Sequence, residues 1–432
     1  MINNYKAIFI LGIGGTGMSS IAKYLNQRRA NVSGYDQRKS YAVEKLSYEG
    51  IRILNSLENE KYKSEILYIY SSAINIKNTF LANYTNKKNV LTRPQFLEIL
   101  SYEVDIIGVT GTHGKTSTTA LLSHIFQFNN INVSYIYGGV NSLGNLGGHF
   151  GDLSQPLILE TDEAFNTFEN IQIKDLLVTN IDNDHIDYYG NFNNLKLAFE
   201  HVILNSKENV VLNIDDKILN KYSDVSKFTY SQNMDSNLKV IPPDGLFYKN
   251  KKFLVQSSFI GEQYLMNIAG AILIAEIYGI NIEKSLNAIK SFPGVKRRME
   301  FKGTKNNVKI YDDYGHHPTA ILKSISTLID VTEGELYVVF QPHRFTRTRD
   351  NFKELKKSLE TCNNVLILDI YPAGEDPIPG IRSKNFESNK ITYIDSMSKV
   401  PEYLNNILKS GDCILILGAG DVTLLGNLLL EV

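Results

Sequence analysis

Short apolar runs recur along the whole chain, each closed by a polar, often glycine-bearing turn and followed by a stretch with helical spacing. Runs that brief, rich in Ile, Val, Leu and Tyr, read as buried strands. Their alternation with helical segments predicts an α/β protein with largely parallel sheets. The pattern restarts three times. The first stretch opens with KAIFILGIGG, continues through NVSGYD and ILYIYSSA, and closes near Ser101. The second opens with VDIIGVTGTHGKT, includes PLILET, LLVTNIDNDH and NVVLNIDD, and holds an apolar helix, LMNIAGAILIAEIYG. The third runs from VKIYDDYGHHP through ELYVVFQPH and NVLILDIYP to DCILILGAGD. Three domains are expected, at residues 1–101, 102–299 and 300–432. The polar segment from Lys217 to Gln256 yields no assignment.

Composition narrows this picture without changing it. A chain of 432 residues suits two to four domains at about 150 residues each. Its 43% hydrophobic and 21% charged residues are ordinary for a protein with real cores. A net charge of -1 gives no global field toward nucleic acid or an acidic membrane, and no block of like charge forms a tail. Cys362 and Cys413 stand far apart in apolar surroundings without zinc-ligand spacing, so buried structural thiols in a reducing cytosol are expected. The N-terminal apolar run is brief and leads into a glycine loop, which reads as a first strand and not a signal peptide. No run approaches the ~18 apolar residues of a membrane span. A soluble, cytoplasmic protein with small-molecule partners, and no nucleic-acid or membrane partner, is expected; oligomeric state is not legible.

Three clusters carry chemistry. Gly12, Gly14 and Gly17 have GxGxxG spacing after a strand, and Asp36 ends the next strand where a ribose-binding acid belongs. That loop fits a dinucleotide, another nucleotide or a plain tight turn. In VTGTHGKTSTT, Gly111 and Gly114 make a shorter variant of the phosphate loop, with Lys115 as a point charge and the Thr116 hydroxyl able to reach Mg²⁺. Glu160 ends the strand PLILE and is followed by Asp162 and Glu163, while His185 lies among Asp182, Asp184 and Asp187. Carboxylates suit Mg²⁺; each is also an ordinary helix cap or solvated charge. The last third holds Arg297 and Arg298, then Asp313, Tyr314, His316 and His317, then His343, Arg344, Arg347 and Arg349. Arginine forks suit carboxylates and phosphates.

GIGGTGMS, GTHGKTSTT, TNIDNDHIDYYG, GVKRRME, DDYGHHPT, FQPHRFTRTRD and DIYPAGE occur in this order across almost the whole chain. In that order they resemble the Mur ligase family, and DDYGHHPT with the TRTRD string resembles its alanine-adding branch. The resemblance implies an N-terminal Rossmann-like domain for a UDP-sugar, a central P-loop ATPase-type domain and a C-terminal Rossmann-like domain. It implies UDP-N-acetylmuramate and L-alanine as substrates, ATP and Mg²⁺ as cofactors, and a role in peptidoglycan synthesis. The UDP-sugar would lie on Gly12, Gly14, Gly15, Gly17, Asp36, Ser71 and Ser72. ATP would lie on Gly111, Thr112, His113, Gly114, Lys115, Thr116, Asn267, Arg298 and Asp313, with Thr116, Glu160 and His185 on the metal. The catalytic set would be Lys115, Glu160, His185, Arg298 and Asp313, and Tyr314, His316, His343, Arg344 and Arg347 would face the muramoyl group and amino acid.

Two departures stand out. Ala164 and Phe165 replace small polar and acidic residues after Glu160, and Gln263 and Tyr264 replace the family's adenine-side pattern, leaving Asn267. The rival readings are a murein-tripeptide recycling ligase and a degenerate paralogue that binds UDP-sugar or ATP without ligating.

Overall fold

The structure is a computed structural model and describes residues 4–164, 167–183, 186–257, 259 and 261–431. Its strands form three sheets, of five, ten and six strands. The first is wholly parallel, in the spatial order Arg52–Leu54, Val32–Tyr35, Ala7–Leu11, Ile66–Tyr70, Val90–Thr92. Chain order reverses between Ala7–Leu11 and Ile66–Tyr70. Loops leaving the C-terminal ends of those two strands therefore diverge and leave a crevice, the usual ligand position in such sheets.

In the ten-stranded sheet the fully buried strand Ile106–Thr110 lies between Ile173–Val178 and Leu157–Glu160, parallel to both. Ser134–Val140 and its antiparallel partner Leu146–His149 close one edge. The segment without a sequence assignment builds the other edge. It contributes Phe228–Ser231 and Leu238–Ile241 in parallel, then Gly245–Tyr248 and Lys251–Leu254 as antiparallel hairpin strands. The third sheet has one antiparallel edge strand, Glu300–Lys305, followed in space by Val308–Asp313, Cys413–Leu417, Leu336–Phe340, Asn364–Ile367 and Ile391–Tyr393. Its strand order differs from that of the first sheet. Cys362 and Cys413 are both buried free thiols, and among the described residues no helix is long and apolar enough to cross a membrane.

The chain divides into two compact units, residues 1–258 with 264–294, and residues 259–263 with 295–432. The first two sheets share one unit because one apolar cluster runs through both, from Ile8 and Ile21 through Ile106 and Ile136 to Leu212. The helix Thr16–Gln27 carries this continuity. Met18, Ile21, Ala22 and Leu25 are buried on it, and the buried Ser20 hydroxyl donates to the Tyr137 carbonyl at 2.7 Å. Glycines permit so close an approach. A Cβ on Gly148 would lie 2.0 Å from the Ser20 carbonyl oxygen, and one on Gly151 would lie 2.1 Å from the Asn132 carbonyl. The helix Glu262–Ile277 is apolar on nearly every side and accordingly buried.

Gly148→Ala is expected to push this helix off its strand and destabilise the fold by about 1–3 kcal/mol, the usual cost of overpacking. Urea denaturation followed by far-ultraviolet circular dichroism checks it. An unchanged midpoint would show that the approach tolerates a methyl group.

Candidate active site

The phosphate-type loop leaves the strand Ile106–Thr110 at the centre of its sheet and ends in the helix Lys115–Phe128. Two glycines make its turns possible: Gly111 has φ +127°, and Gly114 has φ +85° as the residue preceding the helix. The segment after the neighbouring strand braces it. Thr112 N donates to Asn180 O and His113 N to Asn180 Oδ1, both at 2.9 Å. Thr179 Oγ1 donates to His113 O at 2.7 Å, and Asp182 N to Thr112 Oγ1 at 2.9 Å. His113 Nε2 lies 3.1 Å from Asp182 Oδ2. Thr179 and Asn180, which the sequence reading passed over in favour of nearby acids, thus shape the loop. Asn267 lies against Gly114, its Oδ1 2.8 Å from where a Cβ would sit.

Lys115 Nζ donates to Gly111 O at 2.7 Å and pairs with Glu163 at 2.8 Å. Burial opposes its charge, but Glu163, Asp162 and Glu160 more than offset that and raise its pKa. Glu163 is completely buried, and burial pushes its carboxyl up to about 8 against the pull of Lys115. The two shifts favour opposite outcomes for the pair; with three carboxylates around it, the charged lysine is the firmer of the two states. Glu160 faces two ways. Thr116 Oγ1 donates to its Oε1 at 2.7 Å and Gly138 N to its Oε2 at 2.5 Å. A hydroxyl and a carboxylate converging at the head of this loop fit Mg²⁺, which favours oxygen donors and retains water. His185, with Asp184, lies outside the described residues, as does Phe165. Ala164 is buried.

At the first glycine loop, Gly12 has φ +76° and Gly15 N donates back to Gly12 O at 3.1 Å. Asp36 is committed to backbone here: Gly14 N donates to one oxygen and Arg38 N to the other, each at 2.9 Å. It shapes the loop that it was expected to serve as a ribose acceptor. Ser71 stands beside Gly12 and Ser72 is exposed. Thr16 and Gly17 open the helix beyond. The strand residue Gly138 lies beside that helix start and Glu160 together, for its Cβ position is 3.6 Å from Thr16 Oγ1 and 3.5 Å from Glu160 Oε2.

In the other unit the singled-out residues gather beyond the C-terminal ends of Val308–Asp313, Leu336–Phe340 and Cys413–Leu417. Asp313 receives Met299 N at 2.8 Å, Gly315 N at 2.9 Å and Ser324 Oγ at 3.1 Å, so most of its acceptor capacity is internal. Arg297 and Arg298 both lie over the Tyr314 ring, at 5.0 and 4.9 Å. Arg297 is anchored to Gly418 O and Gly420 O, at 2.5 and 3.0 Å. His316 contacts Tyr314, ring to ring, at 5.2 Å and lies 6.0 Å from His343. His343 stacks on Tyr371 at 5.5 Å; burial, then Arg347 and Arg344, lower its pKa to about 4. Arg344 Nε donates to Glu375 at 2.6 Å, while Arg349 pairs with Asp350 on the surface. Tyr371 and Glu375, unremarked as side chains in the sequence, are what hold this cluster in order.

Three family descriptions match: "Mur ligase family, catalytic domain" over residues 7–103, "Mur ligase middle domain" over 109–275 and "Mur ligase, glutamate ligase domain" over 297–420. UDP-N-acetylmuramate–L-alanine ligase of Dictyoglomus turgidum is 33% identical, over 99% of this chain and 97% of that protein. Its counterpart in Endomicrobium trichonymphae is 34% identical over 98% of each. The crystal structure of UDP-N-acetylmuramate–alanine ligase from Thermotoga maritima superposes with a TM-score of 0.82 at 23% identity, covering 98% of both chains, which shows a shared fold.

Burial pushes the Glu375 carboxyl up, but hydrogen bonds from Thr346 and the Arg344 guanidinium outweigh it and hold the carboxyl at about 2. A carboxyl depressed from 4.5 in this way contributes stability above pH 4.5 that is lost as pH falls toward 2. Glu375→Gln should therefore melt lower than wild type at pH 7, with the gap narrowing as the medium is acidified below pH 4.5. Melting curves from neutral pH downward test this; a gap independent of pH would remove the ionic role.

Proposed function

Because the chain belongs to the Mur ligase family, we propose that it is an ATP-dependent amide-forming ligase that joins L-alanine to UDP-N-acetylmuramate in peptidoglycan synthesis. One observation carries the reading. Lys115 and the Thr116–Glu160 pair stand together at the head of a glycine loop on the central strand. The full-length relatives at 33 and 34% identity, which bear the alanine ligase's name, support the choice of substrates. The family spans support three domains, at residues 1–101, 102–299 and 300–432, and the reaction is assigned to the cytoplasm.

The carboxylate of the sugar acid attacks the γ-phosphorus of ATP, forming a C–O–P linkage as the bond to ADP breaks. Loop amides and Lys115 counter the charge spread over the phosphoryl oxygens. Alanine's neutral amine then adds to the acyl carbon, loses a proton and expels phosphate, leaving the amide. No side chain is covalently modified; positioning and electrostatics do the catalysis. Thr116, Glu160 and His185 would hold Mg²⁺, which supplies charge neutralisation to phosphate oxygens when bound. Gly111, Thr112, His113, Gly114 and Asn267 are assigned to ATP with Arg298 and Asp313; Tyr314, His316, His343, Arg344 and Arg347 are assigned to the muramoyl group and amino acid.

Phosphate release that requires UDP-N-acetylmuramate, ATP, Mg²⁺ and L-alanine together is the expected outcome, and a protein inert with all four sinks the reading. Lys115→Ala should abolish turnover. It also leaves Glu163 buried without its cation, a loss on the order of 3–5 kcal/mol. Adding Glu163→Gln should recover stability without recovering activity. Turnover by either variant at the wild-type rate would take Lys115 out of the mechanism.

A further inference from the structure

The tip of the hairpin between the strands Ser134–Val140 and Leu146–His149 is tied to two segments of the larger unit that lie far from it in sequence. Local bonds close the tip itself. Asn141 N donates to Asn145 O at 2.9 Å, Gly144 N to Asn141 O at 2.9 Å and Asn145 N to Asn141 Oδ1 at 2.8 Å. Leu143, in the middle of the tip, is 74% exposed, so burial of that side chain does not seat it. Two hydrogen bonds reach outward instead. Tyr41 Oη donates to Gly144 O at 2.7 Å, and Ser142 N donates to Gly294 O at 3.0 Å. Gly144 has φ +85°, and a Cβ there would lie 2.6 Å from the Tyr41 hydroxyl oxygen. Glycine is what admits the first bond.

Each bond leads to a mechanically significant place. Tyr41 opens the helix Tyr41–Tyr48, which Ser40 caps. That first turn lies directly on the first glycine loop, for a Cβ on Gly14 would be 2.7 Å from Val43 Cγ2 and 3.0 Å from Ser40 Oγ. With no slack between them, the loop cannot shift toward the helix without moving it, because close-packed groups transmit displacement. At the other end, Gly294 is the last residue of the larger unit before the chain passes into the smaller one at Val295. Its φ is +86°. Glycine rotates there without steric cost, as suits a residue that absorbs a change of direction between units.

We propose that the hairpin tip relays occupancy of the first glycine loop to the crossing at Gly294, and that the Tyr41 hydroxyl is the link that carries it. This rests on the reading that the loop holds a UDP-sugar. A sugar nucleotide seated there presses the loop onto the helix Tyr41–Tyr48, whose first residue holds Gly144. The closed turn passes that displacement to Ser142, and so to the carbonyl of Gly294. Tyr41 is a positioning residue in this scheme, acting through the tip and not on the reacting atoms.

Hydrogen exchange read by mass spectrometry tests the relay, on full-length protein without ATP, with and without UDP-N-acetylmuramate at a concentration that calorimetry shows to be saturating. In the wild type the nucleotide should slow exchange at the glycine loop, at the hairpin tip and across residues 291–297. The slowing at the last of these should be about fivefold or more, the lower end of coupling between sites. Tyr41→Phe removes one hydroxyl from a ring that is 48% exposed, so the fold should survive. It should keep the protection at the glycine loop and lose that at 291–297. Undiminished protection there in the variant overturns the relay, even if its melting temperature falls, since a merely structural hydroxyl lowers stability without touching the ligand's increment. A wild-type protein that binds the nucleotide and protects the glycine loop but not 291–297 overturns it too. No binding heat with the wild type overturns the UDP-sugar reading itself, before any variant is made.

Discussion

The backbone-to-backbone approach of the helix Thr16–Gln27 to the strands Ser134–Val140 and Leu146–His149 is the constraint from which the larger unit takes its order. Gly148 and the buried bond from Ser20 to Tyr137 bring two sheets into one core. In consequence the start of that helix, the amide of Gly138 and the carboxylate of Glu160 become neighbours. Two loops separated by about a hundred residues of chain therefore present their donors toward one region. For a reaction between a sugar-bound carboxylate and a phosphoryl group, that convergence is what orientation requires.

The two loops balance charge in opposite ways. At Lys115 the cation is surrounded, with Glu163 at 2.8 Å and the carbonyl of Gly111 at 2.7 Å. Under the proposed function a nucleotide arriving there competes with groups already bonded to the lysine, whose burial is outweighed by the carboxylates around it. At the first glycine loop the first helical turn after Gly15 contains no acid, and the carboxylate present there is Asp36. Asp36, the nearest candidate by sequence, spends both oxygens on amides of Gly14 and Arg38. One loop holds a cation paired with a carboxylate; the other holds a carboxylate on backbone amides.

What the sequence revealed follows from which contacts are local. Strand, glycine turn and helix are consecutive in the chain, so both loops and the restarting sheets were legible from spacing alone. The segment from Lys217 to Gln256 was not, because its strands are four residues long and only partly buried at a sheet edge. Such a pattern is too short to separate from a polar loop. Side chains whose partners lie far along the chain were equally hidden. Nothing near Glu375 announces Arg344, 31 residues away. Asn180 looks like filler ahead of the acids until its amide is seen bracing His113 from 67 residues off. The acids around it drew attention because metal chemistry is written in residue types, whereas loop bracing is written in geometry.

The same distinction decides how to read the substitution in the helix Glu262–Ile277. Tyr264, standing where the family has a polar residue, is 9% exposed, and the helix buries Leu265, Ile268 and Ala269 alongside it. A tyrosine so placed contributes chiefly packing area. Asn267, one turn on, is the residue whose amide lies against Gly114. Gly114 must keep its left-handed conformation for the helix Lys115–Phe128 to start where the loop ends. The apolar change thus falls on the part of the helix that anchors it, and the polar position that remains is the one that touches the loop. A chain can alter the first while preserving the second, because seating the helix and contacting the loop fall to different residues.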